Sequence, residues 1–387
     1  MNCQKSLFSL PESVHYLNCA TMSPLSKAVE AAGVAGLLRK SQPHEIYAEH
    51  FFDLLETVKA RFAQLIGCPN PQRIALMPSV SYGLAVVAKN IIRLADLSRR
   101  PNIVLVGDEF PSDVYAWDEL LADHSARIVT VKAPPYGAGR GAVWNEQLLA
   151  AIDEKTLLVC ISPTHWADGT LFDLAALRQR CTQYGAGLVI DATQHVGGYP
   201  LDVAQIQPDF LVCAAYKWLL GPYGSALAYC PEWLDDGIPL EQSWMARQNS
   251  DDFKSLINYQ AQYRPHAYRY NVGESSQFIH LPMIAAALQH LLDWTPAAIQ
   301  QYAQQLSTPL LPMLREAGYW IEETPYRANH LWGIQVPPHQ NLDTLQNALR
   351  AAGVYVSYRG KAIRLSINAW NVASDINALA TALCGDS

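Results

Sequence analysis

Pro208-Asp209-Phe210-Leu211-Val212-Cys213-Ala214-Ala215-Tyr216-Lys217-Trp218-Leu219-Leu220-Gly221-Pro222-Tyr223-Gly224 decides how this chain is read. Residues 210 to 215 form a short apolar run, the pattern of a strand buried on both faces. The run ends at Lys217, and Gly221-Pro222-Tyr223-Gly224 turns the chain back. Lysine is rarely buried, and desolvation lowers its pKa toward that of a usable nucleophile. A neutral lysine amine condenses with carbonyls to give an imine. The position also suits a lysine that snorkels to water from a strand end.

A second stretch bears on that choice. Gly187-Leu188-Val189-Ile190-Asp191 reads as another buried strand, ending in a carboxylate, with Ala192-Thr193-Gln194-His195-Val196-Gly197-Gly198 as the loop beyond it. A lysine and an aspartate at neighbouring strand ends can face one another across a cofactor. Pyridoxal 5'-phosphate (PLP) requires such a pair, a lysine for its aldehyde and an acid to keep its ring nitrogen protonated.

The pairing of Asp191-x-x-Gln194 with Tyr216-Lys217 resembles the class V aminotransferase family of fold-type I PLP-dependent enzymes. That family includes kynureninases, cysteine desulfurases and isopenicillin N epimerase-like proteins. The resemblance runs from Tyr16-Leu17-Asn18 to Ile363-Arg364-Leu365-Ser366. It implies an α/β fold with a large domain built on a mostly parallel sheet and a smaller C-terminal α/β domain. The expected division is an N-terminal arm over 1–24, a PLP-binding domain over 25–280, and a linking helix with the small domain over 281–387.

Composition agrees with an enzyme of that size. The chain has 387 residues, half of them hydrophobic and 16% charged, which excludes disorder. A formal net charge of −7 argues against nucleic acid or an anionic membrane as a partner. The eight cysteines, at 3, 19, 68, 160, 181, 213, 230 and 384, form no CxxC pair, so no metal site is expected. Met1-Asn2-Cys3-Gln4-Lys5-Ser6 lacks the apolar region of a signal peptide, and no apolar run is long enough to span a bilayer. A cytoplasmic protein is expected.

Taken in order, the periodicity predicts helices over 25–40 and 45–66, and a helix to about 92 that opens at Ser79-Val80-Ser81. The free amides of a helix start favour a phosphate, though the two serines would equally serve as plain caps. Strands are expected over 102–107, 126–132 and 157–162, with a helix over 173–184. Phe110-Pro111-Ser112-Asp113 follows the first of these strands, and an aromatic there can stack on a pyridine ring or simply fill the core. Pro163-Thr164-His165-Trp166-Ala167-Asp168 follows the third. A helix from about 281, a helix over 298–316, a strand over 330–336, a helix over 341–352 and a strand over 363–367 complete the pattern.

The resemblance assigns roles. It implies that Ser79, Val80 and Ser81 hold the cofactor's phosphate with Tyr216, that Phe110 and Asp113 belong to a kynureninase-like cofactor motif, and that Gln194 contacts the cofactor's phenolic oxygen. Gly273-Glu274-Ser275-Ser276 resembles a segment that reaches the phosphate of a dimer partner, with Ser275 or Ser276 replacing the usual threonine. His165 and Trp166 lie where the substrate-facing loop should be. Arg364 matches the arginine that binds a substrate carboxylate, while Arg359 is expected against solvent or acidic neighbours. A homodimer with active sites at the interface follows, acting on an amino acid or small primary amine through an imine at Lys217. Amino transfer is favoured, with kynureninase-like or C–S lyase or epimerase chemistry as the alternative, and a non-catalytic binding protein as the rival class. A desulfurase is not expected, because residues 353 to 364 contain no cysteine.

Overall fold

The computed structural model describes residues 1–94, 97–124 and 126–385. Twelve strands are described: β1 (His15–Tyr16), β2 (Ile74–Met77), β3 (Asn102–Val106), β4 (Arg127–Val131), β5 (Thr156–Ile161), β6 (Gly187–Asp191), β7 (Phe210–Ala214), β8 (Ala226–Tyr229), β9 (Leu331–Gln335), β10 (Val354–Tyr355), β11 (Ser357–Arg359) and β12 (Ala362–Ser366). Seven of them form one sheet in the order β2-β8-β7-β6-β5-β3-β4. β8 runs antiparallel to both its neighbours, and the other pairings are parallel.

The apolar run over 210–215 makes a strand because alternate side chains enter two different cores. Leu211 and Cys213 pack on one face, Phe210 and Val212 on the other. β5 divides in the same way, with Val159 and Ile161 against Leu158 and Cys160. Each such Leu, Ile or Phe contributes about 1.5–3 kcal/mol on burial. Helices cover both faces, so the sheet presents its chemistry only at the carboxyl ends of its parallel strands.

A three-stranded antiparallel sheet, β11-β12-β9, has its own core, which includes Trp332, Ile334, Ile363, Leu365 and Leu379. The N-terminal segment joins it: β1 pairs in parallel with β10, and Leu17 packs in the same core. The Gly169 loop is the seam between this sheet and the large one. Gly333 N donates to Asp168 O (2.8 Å) and Ala328 N to Gly169 O (3.2 Å).

Several expected elements differ. The helix expected over 45–66 begins at Asp53, because 48–51 winds as a 3₁₀ turn in which His50 Nδ1 accepts from Tyr47 N. The helix expected over 298–316 is two, Pro296–Ser307 and Leu310–Glu316. Pro309 lacks the amide that would continue the first. β2 and β8 were not anticipated as strands; each is only four residues long and reads as part of a neighbouring turn or helix. The final helix, Ala373–Cys384, was also missed.

The seam supplies a stability test. Gly169 has φ +76°, and a Cβ there would lie 2.1 Å from the Leu331 carbonyl oxygen. Gly169→Ala is expected to cost about 3 kcal/mol, combining left-handed backbone strain with displacement of a backbone contact. Urea unfolding monitored by circular dichroism measures it, and an unchanged midpoint would refute the account.

Candidate active site

The site forms where parallel strands end. β6 closes on Asp191 and β7 leads to Lys217; the two strands are neighbours, with Asp191 opposite Val212. One cavity of about 250 Å³ is lined by Ser79, Val80, Ser81, Phe110, Trp166, Asp191, Gln194, Tyr216 and Lys217. Nine of the residues singled out in the sequence therefore converge. Ser112, Ser162, Thr193, Tyr223 and Ser225 line it too and were not anticipated. Thr193 could have been: it is two residues past the strand-end aspartate, donates its amide to Asp191 Oδ1 (2.9 Å) and accepts Ala214 N on its hydroxyl (3.1 Å).

Lys217 is 8% exposed. Burial brings its amine down to about 8, against the pull of the Asp191 carboxylate and with help from the charge of Arg364. Its Nζ lies 5.5 Å from the ring centres of both Phe110 and Tyr216. Burial raises Asp191, and the Thr193 hydrogen bonds and Lys217 oppose the rise.

Asp113 does not line the cavity. It is buried in the short helix Pro111–Tyr115, and neither carboxyl oxygen has an ordinary hydrogen-bond partner. Burial first, then Asp191 and Glu109, push its pKa well above the usual carboxylate range. Two adjacent buried carboxyls cannot both ionise cheaply, so Asp113 favours its protonated form and opposes the rise that burial imposes on Asp191. Glu109, passed over in the sequence, completes this acidic cluster. It accepts from Phe110 N (2.9 Å) and Ser162 Oγ (3.1 Å), and burial raises it.

His165 does not line the Lys217 cavity but lines an adjoining one of about 640 Å³. Its Nδ1 is bonded to Asp168 (3.0 Å), its Nε2 faces Gly107 O (3.3 Å), and it packs edge-on against Trp144. Burial works against its charge, but Asp168 overcomes this and raises the pKa. Arg140 pairs with Asp168 (2.8 Å) and Glu322 (3.2 Å), so the histidine belongs to a buried ionic network at the seam. Arg359 is half-buried, meets no acidic neighbour among the described residues and lies 4.9 Å over the Trp166 ring.

Arg364, on β12, does not itself line the cavity but is bonded to the backbone of Trp166, which does. It donates to Trp166 O, Ser357 Oγ and Thr21 Oγ1 at 2.8, 2.9 and 2.8 Å. Gln194 has both ends engaged, by Ala20 O (3.0 Å) and Trp218 Nε1 (2.8 Å), leaving one amide hydrogen for a ligand. Ser275 and Ser276 lie outside this cavity, with their hydroxyls against Met245 Sδ at 3.6 and 4.0 Å.

The residues fit PLP on structural grounds. The helix Val80–Leu94 aims its free amides at one end of the cavity, a proton-holding carboxyl pair sits beneath it, and a partly neutral amine enters from β7. Among the described residues, no cluster of three or more His, Cys, Asp or Glu could hold a metal ion, and no helix is long and apolar enough to cross a membrane.

Comparison with known proteins agrees with this arrangement. A model of the family described as aminotransferase class-V matches residues 32–379. The chain is 28% identical to the uncharacterized aminotransferase YcbU of Bacillus subtilis over 68% of its own length and 65% of that protein's. It is 22% identical to isopenicillin N epimerase of Amycolatopsis lactamdurans over 97% of this chain and 96% of the epimerase. Among solved structures, the cystine C–S lyase C-DES in complex with cysteine persulfide superposes with a TM-score of 0.83 at 18% identity, over 96% of this chain and 98% of that one. The apo cysteine desulfurase of Thermococcus onnurineus gives 0.82 at 17% identity, over 98% and 97%. These two show the same fold. With a family model spanning most of its length and a lysine, an acid and a helix start converging on one cavity, the chain belongs to the class-V aminotransferase family of PLP-dependent proteins.

Proposed function

We propose that this protein is an enzyme that works on the amino group of an α-amino acid or small primary amine, with amino transfer as the favoured reaction. The observation that carries the proposal is Lys217: a buried amine held near neutrality, facing a carboxylate across one cavity. Lyase or epimerase chemistry is comparably supported, since the epimerase match covers nearly the whole of both chains.

Bound PLP supplies an electron sink for the bond broken at the substrate's α-carbon. The chain's own groups do the rest. Lys217 holds the cofactor and then moves the α-proton, a role its depressed pKa suits near neutral pH. Asp191 would hold a proton on the ring nitrogen, and its neighbour Asp113 opposes the rise that burial imposes on Asp191. The helix start at Val80 takes the phosphate, with Ser79 and Ser81 beside it. Phe110 and Trp166, edge to face with centroids 5.4 Å apart, exclude water. Arg364 has donors to spare for a substrate carboxylate.

A homodimer is part of the proposal. Val34, Leu37 and Leu38 form one stripe of the helix Lys27–Arg39 and are 51%, 58% and 60% exposed, with Ile279 at 40%. A second copy covers such a stripe, and Ser275 and Ser276 would then serve the partner's phosphate.

Desulfurase chemistry is not proposed. It needs a mobile thiolate, and Cys3 is the one fully exposed cysteine of the eight. Cys19 lies beside the lysine's backbone, its Sγ 3.8 Å from Lys217 O, but burial pushes that thiol up to about 12.

Borohydride reduction followed by peptide mass spectrometry should find the phosphopyridoxyl mass on Lys217; a label on another lysine would sink the assignment. Light scattering should give twice the 42.8 kDa chain mass, and a Leu37→Glu, Leu38→Glu variant should fall to one chain. A fully active wild-type monomer would count against the dimer. Cysteine with a reductant should release no sulfide at an enzymatic rate; release abolished by Cys19→Ser would show the thiol at work.

A further inference from the structure

The β11–β12 hairpin places Ser357 opposite Arg364 and Arg359 opposite Ala362, so both arginines leave the sheet on the same face. The hydrogen-bond partners of Arg364 do not neutralise its charge, because Ser357, Thr21 and the Trp166 carbonyl are all neutral. Arg359 donates to Tyr358 O (2.6 Å), and its Nε is buried without a partner. Among the described residues neither arginine forms an ion pair. Burial first and then the charge of Arg359 lower Arg364, and after burial both arginines lower Lys217.

Three cations thus share one region, and the carboxylate facing them, Asp191, is engaged with the cofactor's ring nitrogen in the proposed function. The cofactor's phosphate belongs at the Val80 helix start. A substrate α-carboxylate satisfies Arg364 and leaves Arg359 unpaired. Trp166 lines both the Lys217 cavity and an adjoining cavity of about 640 Å³, which Arg359 and Lys361 also line. Of the acids lining that second cavity, Asp168 is committed to Arg140 and His165, and Asp108 is exposed. Desolvated, unpaired positive charge is costly unless an anion arrives.

We propose that Arg359 is a specificity-determining residue that binds a second negative group, so that the substrate is an amino acid with an acidic side chain. The side-chain oxyanion takes two parallel hydrogen bonds from the guanidinium, whose face is held flat by Trp166. A side-chain amide of the same shape offers no charge and leaves Arg359 unpaired. The inference rests on the proposed function only for the placing of the amino and α-carboxylate groups at Lys217 and Arg364.

The test compares glutamate and aspartate with glutamine and asparagine on PLP-loaded protein, reading KM and kcat from the cofactor's absorbance. The acids should exceed their amides by about 100-fold in kcat/KM, the scale of a lost buried charge pair. Arg359→Gln should erase that preference, mainly through KM, while the amides change by no more than about threefold; Arg359→Lys should restore part of it. Calorimetry with glutarate against butyrate needs no turnover: glutarate should bind more tightly to the wild type and not to Arg359→Gln. If no amino acid reacts but glutarate binding still depends on Arg359, the proposed chemistry fails while the role of Arg359 in binding a second negative group stands. Amides reacting as well as acids, or an Arg359→Gln variant that loses every substrate equally, overturns it.

Discussion

The desolvation of one amine organises this molecule. Lys217 sits at the end of a strand whose residues are all buried, where water cannot stabilise its charge. A lysine left there alone would strain the fold. The acid at the end of the adjacent strand offsets part of that cost without a full ion pair, and the balance leaves the amine near neutrality. The parallel order of β6 and β7 is what makes the arrangement possible, since it brings two carboxyl ends to one edge of the sheet.

The acids beneath the site and the ionic network at the seam do different work. Glu109, Asp113 and Asp191 are close enough that burial and mutual repulsion keep protons in the cluster. Arg140, Asp168, His165 and Glu322 instead exchange full charges in the interior. That network clamps the loop carrying Trp166 between two sheets, so one aromatic ring is held against Phe110 on one side and Arg359 on the other. The aromatic wall is thereby positioned by packing, not by the loop's own preference.

The similar proteins carry names of an aminotransferase, an epimerase, a C–S lyase and a desulfurase. A shared fold over such different reactions is physically reasonable. Near the cavity this chain carries Arg359 and Arg364, and residues 353 to 364 contain no cysteine.

Sequence alone determined the α/β class, the buried strands over 187–191 and 210–214, and the strand-end Asp191 and Lys217, because each is written in a contiguous apolar run with an abrupt polar end. Ser79 to Ser81 were legible for a similar reason, as local signals of a helix start. Tertiary structure decided the rest. His165 was expected at the substrate-facing loop; it lines the cavity beside the Lys217 site, with its ring bonded to Asp168, itself fixed by Arg140 from the helix Arg140–Ala150. Asp113 looked like a direct cofactor contact, yet lies behind Asp191 as a buried acid. Arg359 was expected among solvent or acids; it is half-buried with no acid paired to it among the described residues, and the hairpin register also sets it over Trp166 on the face it shares with Arg364. In each case the deciding partner lies far away in the chain, and burial and charge pairing depend on neighbours that no local pattern names.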